Sequence, residues 1–316
     1  MVPWRDAWQD ALYGERGFYR SPAGPAGHFT TGAHGATGPL LAEALLLLLD
    51  REGLSGLVDV GAGRGELLGA LHALRPALPL TGVDVVERPD GTPDGVAWVV
   101  SPGGAHLPDP LTGLADLLVV AHEWLDVVPC TVAEVVAPGR LAVVLVDRRT
   151  GAESPTGPAP TDEELAWCDE HWPVAGLPVG ARVEVGLARD RAWAGLLSRV
   201  GRGTVLAVDY GHTAGARPRG GTLTAYRSGA LVPAVPDGTC DLTAHVAVDS
   251  LEHDVVTTQR DALRGLGLRA APPPQALARA DPPAYLAALA RRSALGALTD
   301  PRGLGGFRWV LRRVGS

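Results

Sequence analysis

With 316 residues, 46% of them hydrophobic, the chain is long enough for one large domain with additions, or for a core with a smaller lobe. Its formal net charge is −7 and it has no long basic block, which argues against a general binder of nucleic-acid backbones. Cys130, Cys168 and Cys240 are far apart; they offer neither a metal-ligand spacing nor a disulfide framework, and fit a reducing compartment. The first residues lack a basic segment followed by an apolar export segment. Residues 40–49 are strongly apolar but short, broken by Glu43 and followed by Asp50, so they read as a buried helix and not a membrane span. A cytoplasmic protein is expected. The 41 glycines and 27 prolines are scattered between periodic segments, which indicates loop-rich globular structure. All 28 basic residues are arginine.

In chain order, residues 4–12 predict a helix, and 13–36 a polar, glycine-rich segment too long for an ordinary connector, which suggests a lid or binding loop. A helix is expected over 40–51, a first core strand over 57–60, a helix over 66–74, and strands over 80–86, 96–100 and 116–121. The last of these is very apolar and therefore central. Residues 131–136 and 141–146 flank Pro138-Gly139 as a hairpin. A helix over 162–171 follows a Thr161 cap with Glu164 at its third position. Residues 182–185 are extended, 189–199 helical, and 204–208 a further apolar strand running into Asp209-Tyr210-Gly211-His212. Residues 213–221 read as a loop and 222–227 as extended, while 246–252 and 258–265 read as helices and 266–270 as a strand. A long helix over 282–298 and a closing strand over 307–314 complete the chain. Strands alternating with helices specify α/β architecture. The expected layout is an N-terminal helical or lid region over 1–50, then a core over 51–316 with an inserted hairpin and helical region at about 130–200.

The most informative stretch is residues 57–67, Leu-Val-Asp-Val-Gly-Ala-Gly-Arg-Gly-Glu-Leu. Gly61, Gly63 and Gly65 alternate after a strand and before a helix, which lets backbone come close to a nucleoside-type ligand. A dinucleotide fingerprint wants its third glycine one position later. Asp59 would oppose a pyrophosphate, but it suits the ammonium and sulfonium end of S-adenosylmethionine. These residues favour a methyltransferase over a dehydrogenase, with Asp59, Gly61, Ala62, Gly63 and Gly65 at the cofactor. Asp84, 19 residues after Gly65 and at a strand end, is placed to accept from ribose hydroxyls, with Glu87 in reserve.

Glu123 and Asp126 follow the very apolar strand, at the sheet edge where open α/β sheets bind ligands. A guanidinium acceptor would want such paired carboxylates. Asp209 and His212 end another strand at the same edge, and His212 is a candidate base. Asp241 and His245 would share a face if helical, but no third ligand is spaced for a metal, so none is assigned.

Taken in order, these motifs resemble the MidA-like class I S-adenosylmethionine-dependent methyltransferases, whose mitochondrial members are complex I assembly factors that methylate a protein arginine. The similarity runs through Tyr13 to Tyr19, Gly27-His28-Phe29-Thr30-Thr31, Val58 to Glu66, Ala121 to Pro129, Asp209 to His212, Gly238 to Val246 and Gly303 to Val310. His28 stands where the family has Asp, His34 near a family Glu, and His122 where the family has Asn. The resemblance implies a Rossmann-like fold with a mostly parallel sheet flanked by helices and substrate-facing additions. It also implies S-adenosylmethionine as cofactor and a protein substrate, methylated at arginine. No nucleic-acid or membrane partner is expected, and a homodimer is admitted. A non-catalytic assembly protein on the same scaffold and a small-molecule methyltransferase are the competing readings.

Overall fold

The structure is a computed structural model that describes residues 1–21, 32–33 and 35–315. His28, His34 and the 27–31 motif lie outside the described residues.

Seven strands form the central sheet: β1 Gly56–Val60, β2 Leu80–Asp84, β3 Val96–Val100, β4 Leu114–His122, β5 Val200–Asp209, β6 Val255–Thr258 and β7 Arg308–Val314. Their spatial order is β6-β7-β5-β4-β1-β2-β3. The β5-β4-β1-β2-β3 pairs are parallel, whereas β7 runs antiparallel to both β5 and β6. β1 is buried at every position and β4 over its last five, as continuous apolar runs covered on both faces should be.

One face is covered by the helices Gly38–Glu52, Glu66–Leu74 and Pro282–Leu298, the other by Leu187–Leu197. In the first of these, Leu41, Leu45, Leu48 and Leu49 recur at helical spacing and are buried, while Leu47 points outward. Gly53, at φ 68°, stops the helix in the left-handed conformation. Truncating Leu45 to alanine would cost about 2–5 kcal/mol, because the cavity it leaves cannot close fully.

The chain steps outward from β1 through β2 to β3, then returns to place β4 on the other side of β1. That reversal opens a crevice at the carboxyl ends of β1 and β4, where such sheets bind ligands. Two additions cover this end. The helix Trp4–Tyr13 buries Trp4, Trp8 and Leu12 against Val144, Val146 and Leu242. A three-stranded sheet of Arg140–Val143, Thr131–Ala137 and Arg182–Val185 packs on the helix Asp162–His171, whose Thr161–Glu164 capping box forms as its sequence requires.

Three expectations fail. Residues 246–252 are not helical: Val246–Ala247 is a short strand parallel to Gly211–His212, with Val246 and Val248 donating to the Tyr210 and His212 carbonyls. The β-branched alternation of Val246, Ala247 and Val248 serves that pairing. Residues 266–270 are not a strand; Leu266 closes the helix Gln259–Gly265 and Gly267 turns at φ 91°. The hairpin's second arm stops at Val143, and Leu145–Val146 pairs instead with Val2–Pro3 and Glu153–Ser154. No helix among the described residues is long and apolar enough to cross a membrane.

Candidate active site

Gly61, Gly63 and Gly65 stand at φ 79°, 60° and 80°, left-handed conformations that glycine adopts without Cβ strain. The Gly61 and Ala62 amides donate to the Val83 carbonyl, at 2.9 and 3.1 Å, so the turn is anchored on the end of β2. The Gly63 amide donates to Asp84 Oδ2 at 2.8 Å. Asp84 Oδ1 takes the Val85 and Val86 amides at 2.7 and 3.3 Å. Burial raises the Asp84 carboxyl to about 6, against the opposing pull of those three amides. Asp59, 2% exposed, is pushed to about 7 by burial and then by the charges of Asp84 and Glu66. A carboxyl so placed becomes a carboxylate readily only when a cation comes to it.

Glu123 follows β4 at φ 53°, a left-handed conformation that costs a non-glycine residue roughly 1–2 kcal/mol. Its amide is held by the Val208 carbonyl at 2.9 Å. Its Oε1 lies 3.4 Å from the Gly32 amide and 3.5 Å from His122 Nδ1. Burial, followed by the Asp126 charge, lifts its proton affinity well above the carboxylate range. Strain of this kind concentrates where a side chain must be aimed.

Asp126, 3% exposed, accepts from Thr243 Oγ1 at Oδ2, 2.7 Å away. Its Oδ1 is buried, and its carboxyl hydrogen-bonds with that of Asp209. Arg189, fully buried, gives its guanidinium to the carbonyls of Asp126, Val128 and His245 and so braces the turn after β4. Asp209 accepts the Leu125 and Asp126 amides at 3.2 and 3.4 Å. Burial, followed by the Asp126 charge, pushes its proton affinity well above the ordinary carboxylate range.

These elements enclose a cavity of about 860 Å³. Asp59, Gly61, Ala62, Gly63, Asp84, Glu123 and Asp126 all line it, whereas Gly65, Asp209 and His212 do not. Gly65 begins the helix beneath the loop. Asp209 sits behind the wall and shapes the turn that carries Asp126. His212 packs edge-on to Trp172 and meets Arg217 Nη1 at 2.9 Å; burial and that guanidinium push it down to about 3, so it is neutral. The structure thus brings Glu123 and Asp126 to the ligand space and keeps Asp209 and His212 off it.

Tyr13, Tyr19, Tyr210, Tyr226, Asp241 and Thr243 also line the cavity, though sequence reasoning assigned none of them a role there. Asp241 and Thr243 lie two apart on the strand Asp241–Thr243 and therefore share a face. Their signal was the alternation in Asp241-Leu242-Thr243, which the helical pairing with His245 obscured. The wall contains many acids, and Arg64 and His122 are its basic side chains among the described residues. No group of three or more His, Cys, Asp or Glu among the described residues is arranged to hold a metal ion.

A glycine turn over an acid at β1, a second acid at the end of β2 and a crevice at the strand reversal together suit S-adenosylmethionine. Residues 41–265 match the family described as "Putative S-adenosyl-L-methionine-dependent methyltransferase". The chain belongs to this family. As a member it is a methyltransferase that uses S-adenosylmethionine, and its sheet is the Rossmann-like class I form. No curated protein matches the chain. A solved Burkholderia thailandensis protein, described as a "likely methyl transferase" and bound to S-adenosyl-homocysteine, is 22% identical; it superposes with TM-score 0.75 over 99% of this chain and 88% of its own. A native structure of a protein of the same superfamily from that organism gives 0.73 at 22% identity, over 99% and 87%.

Proposed function

We propose that this methyltransferase acts on a cationic nitrogen of a protein, an arginine guanidinium, as the MidA-like enzymes it resembles do. The observation that carries the reading is the acidic wall, in which Glu123 and Asp126 face the cavity with no arginine paired to either carboxyl among the described residues. An entering guanidinium would supply the missing counter-charge and a planar donor set that matches carboxylates.

Bound S-adenosylmethionine supplies a methyl carbon made electrophilic by its sulfonium. This chain's residues do the rest. Asp84, already fixed by three amides, accepts from ribose hydroxyls. Asp59, also in the wall, would face the ammonium end. Glu123 and Asp126 align the guanidinium nitrogen, and the Glu123 carboxylate takes the proton that nitrogen sheds as its new carbon bond forms. The N-terminal region over 1–50 contributes Tyr13 and Tyr19 to the wall, which supports its reading as part of the substrate enclosure.

Supplying S-adenosylmethionine labelled in the methyl group to native lysate, then mapping the label, tests this. Label on an arginine of a protein is the expected result. Label confined to small molecules or to uncharged side chains would overturn the acceptor assignment.

A further inference from the structure

Asp241 is a further acid of the cavity wall. It belongs to neither the glycine turn nor the turn after β4, yet it reaches the same cavity. It is 4% exposed. The phenol of Tyr19 donates to its Oδ1 at 2.6 Å. Two residues along the same strand, Thr243 donates to Asp126 Oδ2 at 2.7 Å, so one short strand places Asp241 and fixes Asp126. Asp126 is therefore held from two sides, by the Thr243 hydroxyl and by the Asp209 carboxyl behind it.

The groups that act on Asp241 come from every side. Tyr19 and Tyr13 belong to the N-terminal segment, whose rings lie 5.4 Å apart. Asp126 and Glu123 follow β4, and both interact with Asp241 through like charge. Cys240 precedes it, and Tyr226 sits opposite it in the neighbouring strand. None of these groups is a cation. Burial, with the Asp126 charge behind it, pushes Asp241 to about 8.

We propose that Asp241, held by Tyr19, is a specificity-determining residue that carries the acceptor's positive charge beside Asp126, and that its carboxyl releases a proton to solvent as the cation enters. This rests on the cationic-acceptor reading above and adds the residue that enforces it. The balance is simple: a neutral carboxyl and a guanidinium become a carboxylate–guanidinium pair and one proton in water. Tyr19 sets how readily that happens, because its O–H stabilises the ionised form.

The test uses the full chain saturated with S-adenosyl-homocysteine, and ethylguanidinium as the probe, with ethylurea as its uncharged isostere. Calorimetry in buffers of different ionisation enthalpy reads both affinity and proton release. Wild type should bind ethylguanidinium and not ethylurea, more tightly as pH rises from about 6.5 to about 8.5, with net proton release. Asp241→Asn should weaken the probe at least about tenfold and reduce the proton release, with S-adenosyl-homocysteine affinity unchanged. Tyr19→Phe should keep the binding but move its pH dependence upward, a shift that a merely structural role would not produce. Equal ethylguanidinium binding by wild type and Asp241→Asn, or an unshifted profile in Tyr19→Phe, overturns the proposal. Binding of S-adenosyl-homocysteine without any ethylguanidinium binding overturns it too, and leaves the cofactor site standing. Failure of wild type to bind S-adenosyl-homocysteine would instead remove the methyltransferase reading beneath it.

Discussion

The amide of Gly63 donates to the carboxylate of Asp84 at 2.8 Å, so the glycine turn after β1 and the acid at the end of β2 form one unit. Asp84 both shapes the turn and faces the ligand space. Asp84→Ala should therefore lose more than a ribose contact: three backbone amides lose their acceptor, at about 1–3 kcal/mol for each one left buried. Calorimetry with S-adenosylmethionine should show at least about a tenfold loss of affinity, together with a lower melting temperature. An affinity within twofold of wild type would show that the turn does not depend on this carboxylate.

Two glycines on neighbouring turns should respond in opposite directions. Gly63 has φ 60°, and an added Cβ would meet Glu66 Oε2 at 3.4 Å, so conformation and not crowding is the obstacle. Gly63→Ala should cost roughly 1–2 kcal/mol and weaken cofactor binding. Gly69 lies inside the helix Glu66–Leu74 with nothing within 4 Å of an added Cβ. Gly69→Ala should gain roughly 0.5–1 kcal/mol with cofactor affinity unchanged. Chemical denaturation of the two variants reads both signs.

Much of this site is written in local patterns. The turn at Gly61, the strand end at Asp84 and the acids after β4 each depend on a few consecutive residues, and the alternation of apolar runs with helical spacing gives the α/β sheet. What local pattern does not hold is orientation. Asp209 follows an apolar strand just as Glu123 does, yet the Leu125 and Asp126 amides capture its carboxyl behind the wall. His212 lies two residues past Tyr210, which lines the cavity, but is turned into a pocket made by Arg217 and the distant Trp172. Tyr19 reaches Asp241 across 222 positions, a contact that no periodicity encodes. The short strand at Val246 forms because Gly211–His212 offers it a partner, which outweighs its helical spacing.

Asp59 should make cofactor binding pH-dependent. Its folded value of about 7 lies above that of an unfolded aspartate, so the folded cofactor-free protein binds the proton more tightly. With respect to this group, stability is full below about pH 4 and declines as pH rises toward 7, because ionising the buried carboxyl is unfavourable. A cationic ligand reverses the preference by favouring the carboxylate. S-Adenosylmethionine affinity should therefore increase between about pH 6 and 8, and Asp59→Asn should bind more weakly with a flatter profile over that interval. Isothermal titration at several pH values decides this. An identical slope in Asp59→Asn would assign the titration elsewhere.

Asp209 should act on the site only through the turn it supports. Asp209→Ala leaves the buried Leu125 and Asp126 amides without their acceptor, a loss of about 1–3 kcal/mol for each amide left unpaired. It does not itself line the cavity, so S-adenosyl-homocysteine affinity should stay within about twofold while the denaturation midpoint falls. Methyl transfer should drop as well, because Asp126 rides on the same turn, and the loss should fall on kcat more than on cofactor KM. His212→Gln provides the contrast. Its ring is neutral and lies off the cavity wall, so methyl transfer between pH 6 and 8 should keep the wild-type profile, within roughly the precision of such profiles. Loss of an alkaline or acidic limb in His212→Gln would restore the histidine as an acid–base group and remove the distinction between the wall and the residues behind it.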